Sequence, residues 1–449
     1  MLLAAAAFTG CGGSGSMSSH AVTFHQWIWQ GGSQTPNKPG NYGTLGQPST
    51  QNIPGARLGS SYWTDAQGNF WLFGGHGIAS QQSIGDLEDV WKFNPFSGQW
   101  TWVCGPQQAN QPPVYDTKGV PSADNLPSGR ANAQSWIDPQ GNFWLFSGSL
   151  FSDMWKFTPS IAEWTFMGGS TNLPTSAPNK GIYGTLGQPS PTNLPGPRGS
   201  AVTWSDSQGN LWMYGGEGND SRGIGGTLGD LWEYSPSTGE WTWMGGSPIG
   251  GEAVVYGTKG VTSPSNAPGA RAGSLFWSDG KGDVWLFGGS DTGGAGGEGN
   301  DLWKYSNGEW TWIAGSDQPT QLGSYGSEGD TSPTNNPGSR SNSVTWTDAQ
   351  GNLWLFGGNG QASKPSFFME LSDLWEFTNG QWIWVNGPDT IVDYGSYGTL
   401  GVASVSNLPP ARSFASGWVD QSGNLWLFGG SASLDFGTTW YNDLWEYTP

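Results

Sequence analysis

A Gly-Asn-(Leu/Phe)-Trp motif returns six times along the chain, centred on Asn69, Asn142, Asn210, Asn352 and Asn424, with Asp283 standing in once. A short unit that cannot bury its own apolar face has to stack against copies of itself, so the repeat decides the architecture before any other feature is weighed. Each copy carries four short segments that alternate apolar and polar residues, the pattern of half-buried strands. In the third copy they run from Ser200 to Asp206, Asn210 to Gly216, Asp230 to Tyr234 and Glu240 to Met244, named here strands a, b, c and d. Between a and b stands Asp-x-x-Gly-Asn or a close variant, starting at Asp65, Asp138, Asp206, Asp279, Asp348 and Asp420. A carboxylate that caps a tight turn, followed by a glycine for positive φ, is hairpin chemistry, so these six acids are read as structural.

The sixth copy stops at Asp443-Leu444-Trp445-Glu446-Tyr447 and lacks a strand d. The missing strand lies at the other end of the chain, where His25-Gln26-Trp27-Ile28-Trp29-Gln30-Gly31-Gly32 matches the Trp-x-Trp pattern of the other d strands. Pairing first strand with last closes a ring and removes exposed sheet edges. The fold expected is therefore all-β: a six-bladed β-propeller of four-stranded blades, closed by the N-terminal strand. Blades fall near 57–105, 130–169, 198–246, 271–316, 340–387 and 412–449 plus 25–32, one domain over 22–449 after a leader over 1–21.

Strand b ends in paired glycines at Gly74-Gly75, Gly215-Gly216, Gly288-Gly289, Gly357-Gly358 and Gly429-Gly430, with Ser147-Gly148 the one departure. Strand c carries Trp91, Trp155, Trp232, Trp303, Trp375 and Trp445. In these features the chain resembles the kelch family, over nearly everything after Val22. The resemblance implies the propeller fold but no single function, because kelch propellers serve as enzymes, lectins, adaptors and scaffolds.

The formal charge of -19 excludes lasting contact with nucleic acid, which relies on Lys and Arg displacing counterions. Residues 1–16 read MLLAAAAFTGCGGSGS, an apolar stretch too short to span a bilayer as a helix. The run Phe8-Thr9-Gly10-Cys11 resembles a bacterial lipobox, so Cys11 is the expected lipidation site. The protein is then exported, as an outer-membrane or cell-surface lipoprotein or a periplasmic protein, meeting the membrane only through its anchor. Cys104 is left without a partner and is read as a small apolar residue of strand d.

Of thirty tryptophans, twenty-nine fall at positions that recur in the strands and are assigned to the core between blades. Trp440 alone stands outside the repeat, on a long loop of blade six, and is a candidate ligand contact. The b–c and d–a connections are the long ones and share one face, called upper here. Every d–a connection contains a tyrosine and, fifteen positions on, an arginine: Tyr42 and Arg57, Tyr115 and Arg130, Tyr183 and Arg198, Tyr256 and Arg271, Tyr325 and Arg340, Tyr397 and Arg412. Such constant spacing predicts ordered loops over the blade tops. The six arginines open the innermost strands and are candidate ligand residues at the channel mouth, since the kelch resemblance permits arginines there that grip acidic ligands. The competing reading pairs each with the aspartate that opens strand c, Asp89, Asp153, Asp230, Asp301, Asp373 or Asp443. His76 and Glu217, in the b–c loops, complete the candidate set. Acidic, Gly-rich stretches at Glu217-Gly218-Asn219-Asp220, Asp291 and Glu298-Gly299-Asn300 are read as solvated surface, with Ca²⁺ the one metal worth considering and no motif specific for it.

A galactose-oxidase-like copper site, which the superfamily also contains, needs more than three histidines and one spare cysteine allow. Zinc fails on the same count, and no Ser–His–Asp signature is present. The function expected is non-enzymatic recognition of a carbohydrate or a surface protein, with no cofactor. The alternatives are a metal-free, mutarotase-like sugar enzyme using groups such as His76, Glu217 and Arg198, and a self-assembling surface structure.

Overall fold

The computed structural model describes residues 25–80, 83–149, 151–171, 179–279, 282–291, 296–365, 369–391, 393–434 and 437–449, without the side chains of Asp291 and Leu434. Cys11 and the leader lie outside them. No α-helix occurs among the described residues.

Six antiparallel sheets of four or five strands, one per blade, are arranged in chain order, with four smaller sheets of two or three strands beside them. Blade one comprises Ser61–Thr64, Phe70–Phe73, Val90–Asn94 and Gln99–Cys104 as strands a to d, and the next four blades repeat the order. In blade six, Leu444–Thr448 pairs with Gln26–Gly31, so the first strand supplies the missing strand d. The a–b hairpins follow from their sequence. Asp65 Oδ1 accepts the backbone N–H groups of Gln67 and Asn69, and its Oδ2 accepts the Trp71 indole N–H. The other five blades show the same indole-to-aspartate bond.

Ring closure is written in backbone hydrogen bonds at the start of each strand a. Asn132 N–H donates to Gly59 O, Ser200 to Asn132, Gly273 to Ser200, Asn342 to Gly273, Phe414 to Asn342 and Gly59 to Phe414, at 2.7 to 3.0 Å. All six residues have φ between 55° and 64°, the left-handed region. A second cycle explains the paired glycines: the N–H of Gly75, Gly148, Gly216, Gly289, Gly358 and Gly430 each reaches the carbonyl of the next blade's arginine. At Gly74 a side chain would stand 2.9 Å from the Arg130 carbonyl oxygen. Ser147 replaces the first glycine in blade two, at φ 59°, and its hydroxyl accepts the Arg198 N–H at 2.8 Å.

The tryptophans fill six apolar clusters, one at each inter-blade contact. One joins Phe70, Leu72 and Trp91 of blade one to Trp418, Trp426 and Phe428 of blade six. Another places Trp27 of the closing strand against Phe356 and Trp346 of blade five. Aromatic rings that bury on the order of 150–250 Å² each make these contacts the main source of cohesion.

The d–a connections lie differently from the expectation that they cover the blade tops. The second half of each runs down the outer edge of the blade it leads into: Gly46 and Ser49 N–H bond to Trp102 O and Trp100 O, Gly187 and Ser190 to Trp243 O and Trp241 O. In blade two, Pro121–Ser122 becomes a fifth strand of the sheet. An asparagine holds each cover in place. Asn52 donates from Nδ2 to Gln47 O within the loop and to Trp100 O of strand d, and Asn193 repeats this with Gln188 and Trp241. An outer strand is a template for unwanted pairing, and the loop blunts it.

Candidate functional site

The six arginines do not line the mouth, which corrects the ligand-ring expectation for Arg57, Arg130, Arg198, Arg271, Arg340 and Arg412. They are 0% to 3% exposed, and each makes a bidentate pair with its own blade's aspartate at 2.6 to 3.1 Å. In blade one the Arg57 guanidinium also reaches Gly55 O and Gly74 O, so four of its five N–H donors are taken within the blade and the group is buried away from any ligand. The same carboxylate accepts the hydroxyl of the tyrosine fifteen residues before the arginine, as in Tyr42 to Asp89 at 2.6 Å, and the indole of the first strand c tryptophan, as in Trp91 to Asp89 at 2.7 Å. All six blades repeat this knot. Both ends of the loop close on one carboxylate, which is why its length is constant. Burial by itself raises the Asp230 pKa, but Arg198 and the hydrogen bonds outweigh it and hold the carboxyl below its ordinary value.

The mouth is built one layer above. In blades one, three and five the chain after the paired glycines turns back and pairs with the arginine segment: Leu58 with His76, Gly199 with Glu217, Ser341 with Asn359. In blades four and six, Ser290 and Ser431 occupy the same register against Ala272 and Ser413. In blade two, Ser149 holds the position by accepting the Ala131 N–H at 3.1 Å. The returning hairpin strands place Asp86, Thr227, Glu298, Glu370 and Trp440 opposite these residues. Where the belt below is uniform, this layer differs in every blade.

Two sequence candidates meet here. Trp440 of blade six packs edge-on against His76 of blade one, with ring centroids 5.5 Å apart and planes at 71°. His76 Nδ1 lies 2.8 Å from Asp86 Oδ1, and Ser149 Oγ donates to Asp86 Oδ2 at 2.8 Å. The imidazole is 40% exposed and its partner carboxylate 27%. The hydrogen bond that His76 donates to Asp86, acting against partial burial, raises the His76 pKa above its ordinary value. With Nδ1 held by Asp86, the Nε2 edge is the one left for chemistry. Glu217 is exposed on blade three, away from this pair. Asp86 and Ser149 were not singled out by the sequence; the signal for Asp86 was its place across the hairpin from His76, and for Ser149 its place directly after Ser147-Gly148 in blade two.

The other acidic loops are not solvated surface as expected. Asp220 is buried and bound by Arg222 and by the N–H groups of Arg222 and Ile224; these contacts outweigh burial and bring its pKa down to about 2. Glu298 is buried, accepts the Ser341 hydroxyl at 2.8 Å and is pushed up to about 8 by burial. Asn300 is buried as well. These polar groups tie hairpins to neighbouring loops, which is why they leave the solvent. Among the described residues no three of His, Cys, Asp and Glu gather as a metal-binding set. Cys104 is packed beside the apolar cluster of blades one and two, and burial pushes its thiol up to about 12.

No family model matches the sequence, and no curated protein matches it. Among solved structures the chain is similar to that titled "Structure of YjhT", at 14% identity over 87% of this chain and 95% of the other, with a TM-score of 0.49.

Proposed function

We propose that this protein is an exported, kelch-type recognition propeller, held at the envelope through Cys11, that binds a carbohydrate at its upper mouth without a metal or cofactor. The observation that carries the reading is the Trp440–His76–Asp86 group, where an aromatic ring adjoins a half-exposed hydrogen-bonding pair. Sugars present apolar faces and hydroxyl edges together, and that combination suits this group. Its occurrence in one place only among the described residues adds support, since the scaffold does not require it. An acidic sugar fits poorly, because Asp86 and Glu217 stand at the mouth and the arginines are consumed below it.

The test is calorimetric titration of the chain from Ser18 onward with neutral, amino and acidic glycans. Binding that drops at least tenfold in Trp440→Ala and in His76→Ala, with melting temperature retained, is the expected result. Equal affinity in wild type and both variants overturns it, and binding by a surface protein alone moves the reading to a protein partner. A metal-free sugar enzyme would draw on the same His76–Asp86 pair, so any glycan that binds should also be followed for turnover by proton NMR. Self-assembly finds less support, because the outer strand of each blade is covered by its own loop.

A further inference from the structure

Three successive inter-blade gaps on the rim hold equivalent open grooves, with volumes of about 330 Å³ between blades two and three, 340 Å³ between three and four, and 530 Å³ between four and five. Each runs between the end of one outer strand and the cover loop of the next blade. Their floors are Tyr234 with Trp241, Tyr305 with Trp310, and Phe377 with Trp382. The walls repeat a hydroxyl followed by an amide, Thr192-Asn193, Ser265-Asn266 and Thr334-Asn335. Each lip carries one exposed aliphatic: Ile182 at 46%, Val255 at 45% and Leu322 at 39%.

We propose that these grooves together bind a linear, neutral polysaccharide, one short stretch of the chain in each groove. Three lines of chemistry support the occupant. Exposed aliphatic lips beside wall hydroxyls, set over aromatic floors that are largely covered, match a ligand with apolar faces and many hydroxyls. The Tyr234 hydroxyl in the first groove and the Trp382 indole N–H in the third have no partner among the described residues and are fully covered, so a ligand hydroxyl would bond them only after a small side-chain movement. The formal charge of -19 repels polyanions, while the groove walls themselves are mostly uncharged. Similar sites in successive gaps of a rigid ring suit a ligand that repeats, because each further contact is intramolecular once the first is made. The site is separate from the mouth and does not depend on the reading given for it.

The experiment uses the chain from Ser18 onward and neutral β- and α-linked glucan and xylan oligosaccharides of increasing length, with a polyuronate as the charged control. Affinity is expected to rise steeply with length once a chain reaches a second groove. The triple variant Ile182→Glu, Val255→Glu, Leu322→Glu, altered only at exposed positions, should lose about a hundredfold for long chains and little for short ones. Trp440→Ala should leave this binding unchanged, which separates the rim from the mouth. Absence of binding by every neutral chain, affinity independent of length, or full binding by the triple variant overturns the proposal.

Discussion

The arginine belt and the mouth lie in adjacent layers of the same ring, yet one repeats six times while the other shares a residue, serine, in only three blades and differs in the remaining three. In the belt every blade holds the same tyrosine, arginine, aspartate and tryptophan in the same bonds. One layer up, the corresponding positions are His76, Ser149, Glu217, Ser290, Asn359 and Ser431. A group demanded by ring geometry has to appear in every blade, since each blade meets its neighbours in the same way. A group that appears once answers to something other than the ring, and the mouth is where such groups collect.

That contrast breaks most decisively at the belt. Asp230→Ala should cost about 3–5 kcal/mol in urea unfolding, because it leaves Arg198 buried and unpaired and strips Tyr183 and Trp232 of their acceptor. Glu217→Gln in the exposed layer should stay within about 0.5 kcal/mol. Equal effects from the two would erase the distinction.

A second effect depends on pH. Burial pushes Glu88 and Glu298 up to about 8 from an ordinary value of 4.5. The folded state therefore holds these protons more tightly than the unfolded chain. The stabilisation is complete below the ordinary value and is lost as pH rises through about 8. The buried aspartates Asp89, Asp230 and Asp373 work in the opposite sense, held low and losing their contribution only as pH falls through their depressed values. Melting temperature should thus fall between pH 5 and 9, and Glu298→Gln should flatten the slope. A wild-type profile that is level across this range contradicts the assignment.

Smaller still is the axial ring. Phe414 sits at φ 57°, where blades two and five use Asn132 and Asn342. Asn visits this region more readily than Phe, so Phe414→Asn should raise stability by about 0.5–1 kcal/mol in the same unfolding assay. A loss instead would mean that the phenyl ring contributes packing that outweighs its backbone cost. The subtlest test concerns His76, whose imidazole should titrate by NMR above its ordinary value and move back toward it in Asp86→Asn. No movement would show that Asp86 does not set its charge.

Much of this was legible from the residues. The strand count, the hairpin aspartates and the exchange of the last strand for the first rest on alternation and turn chemistry, which act over a few residues. The pairing of Arg57 with Asp89 was the favoured of two readings, because each blade supplies an acid for its arginine, but the partners are 32 positions apart and only burial decides whether the guanidinium is free. Tyr42 carried the constant spacing without revealing its cause, since its acceptor lies 47 positions on. The cover over strand d left one trace, the asparagine repeated at Asn52, Asn125, Asn193, Asn266, Asn335 and Asn407, but where the loop lies was hidden, because its other bonds to strand d are made by backbone N–H groups that every residue but proline possesses.

What the sequence determined alone is therefore the unit and its number: six near-identical blades of four strands, with one strand supplied from the far end. Only the tertiary structure decided which polar groups are consumed in holding the ring and which face solvent. His76 and Trp440 come from blades at opposite ends of the chain and meet because closing the ring sets blade six beside blade one. Local patterns specify strands and turns, whereas a site assembled across the closure exists only once every blade between has folded and packed.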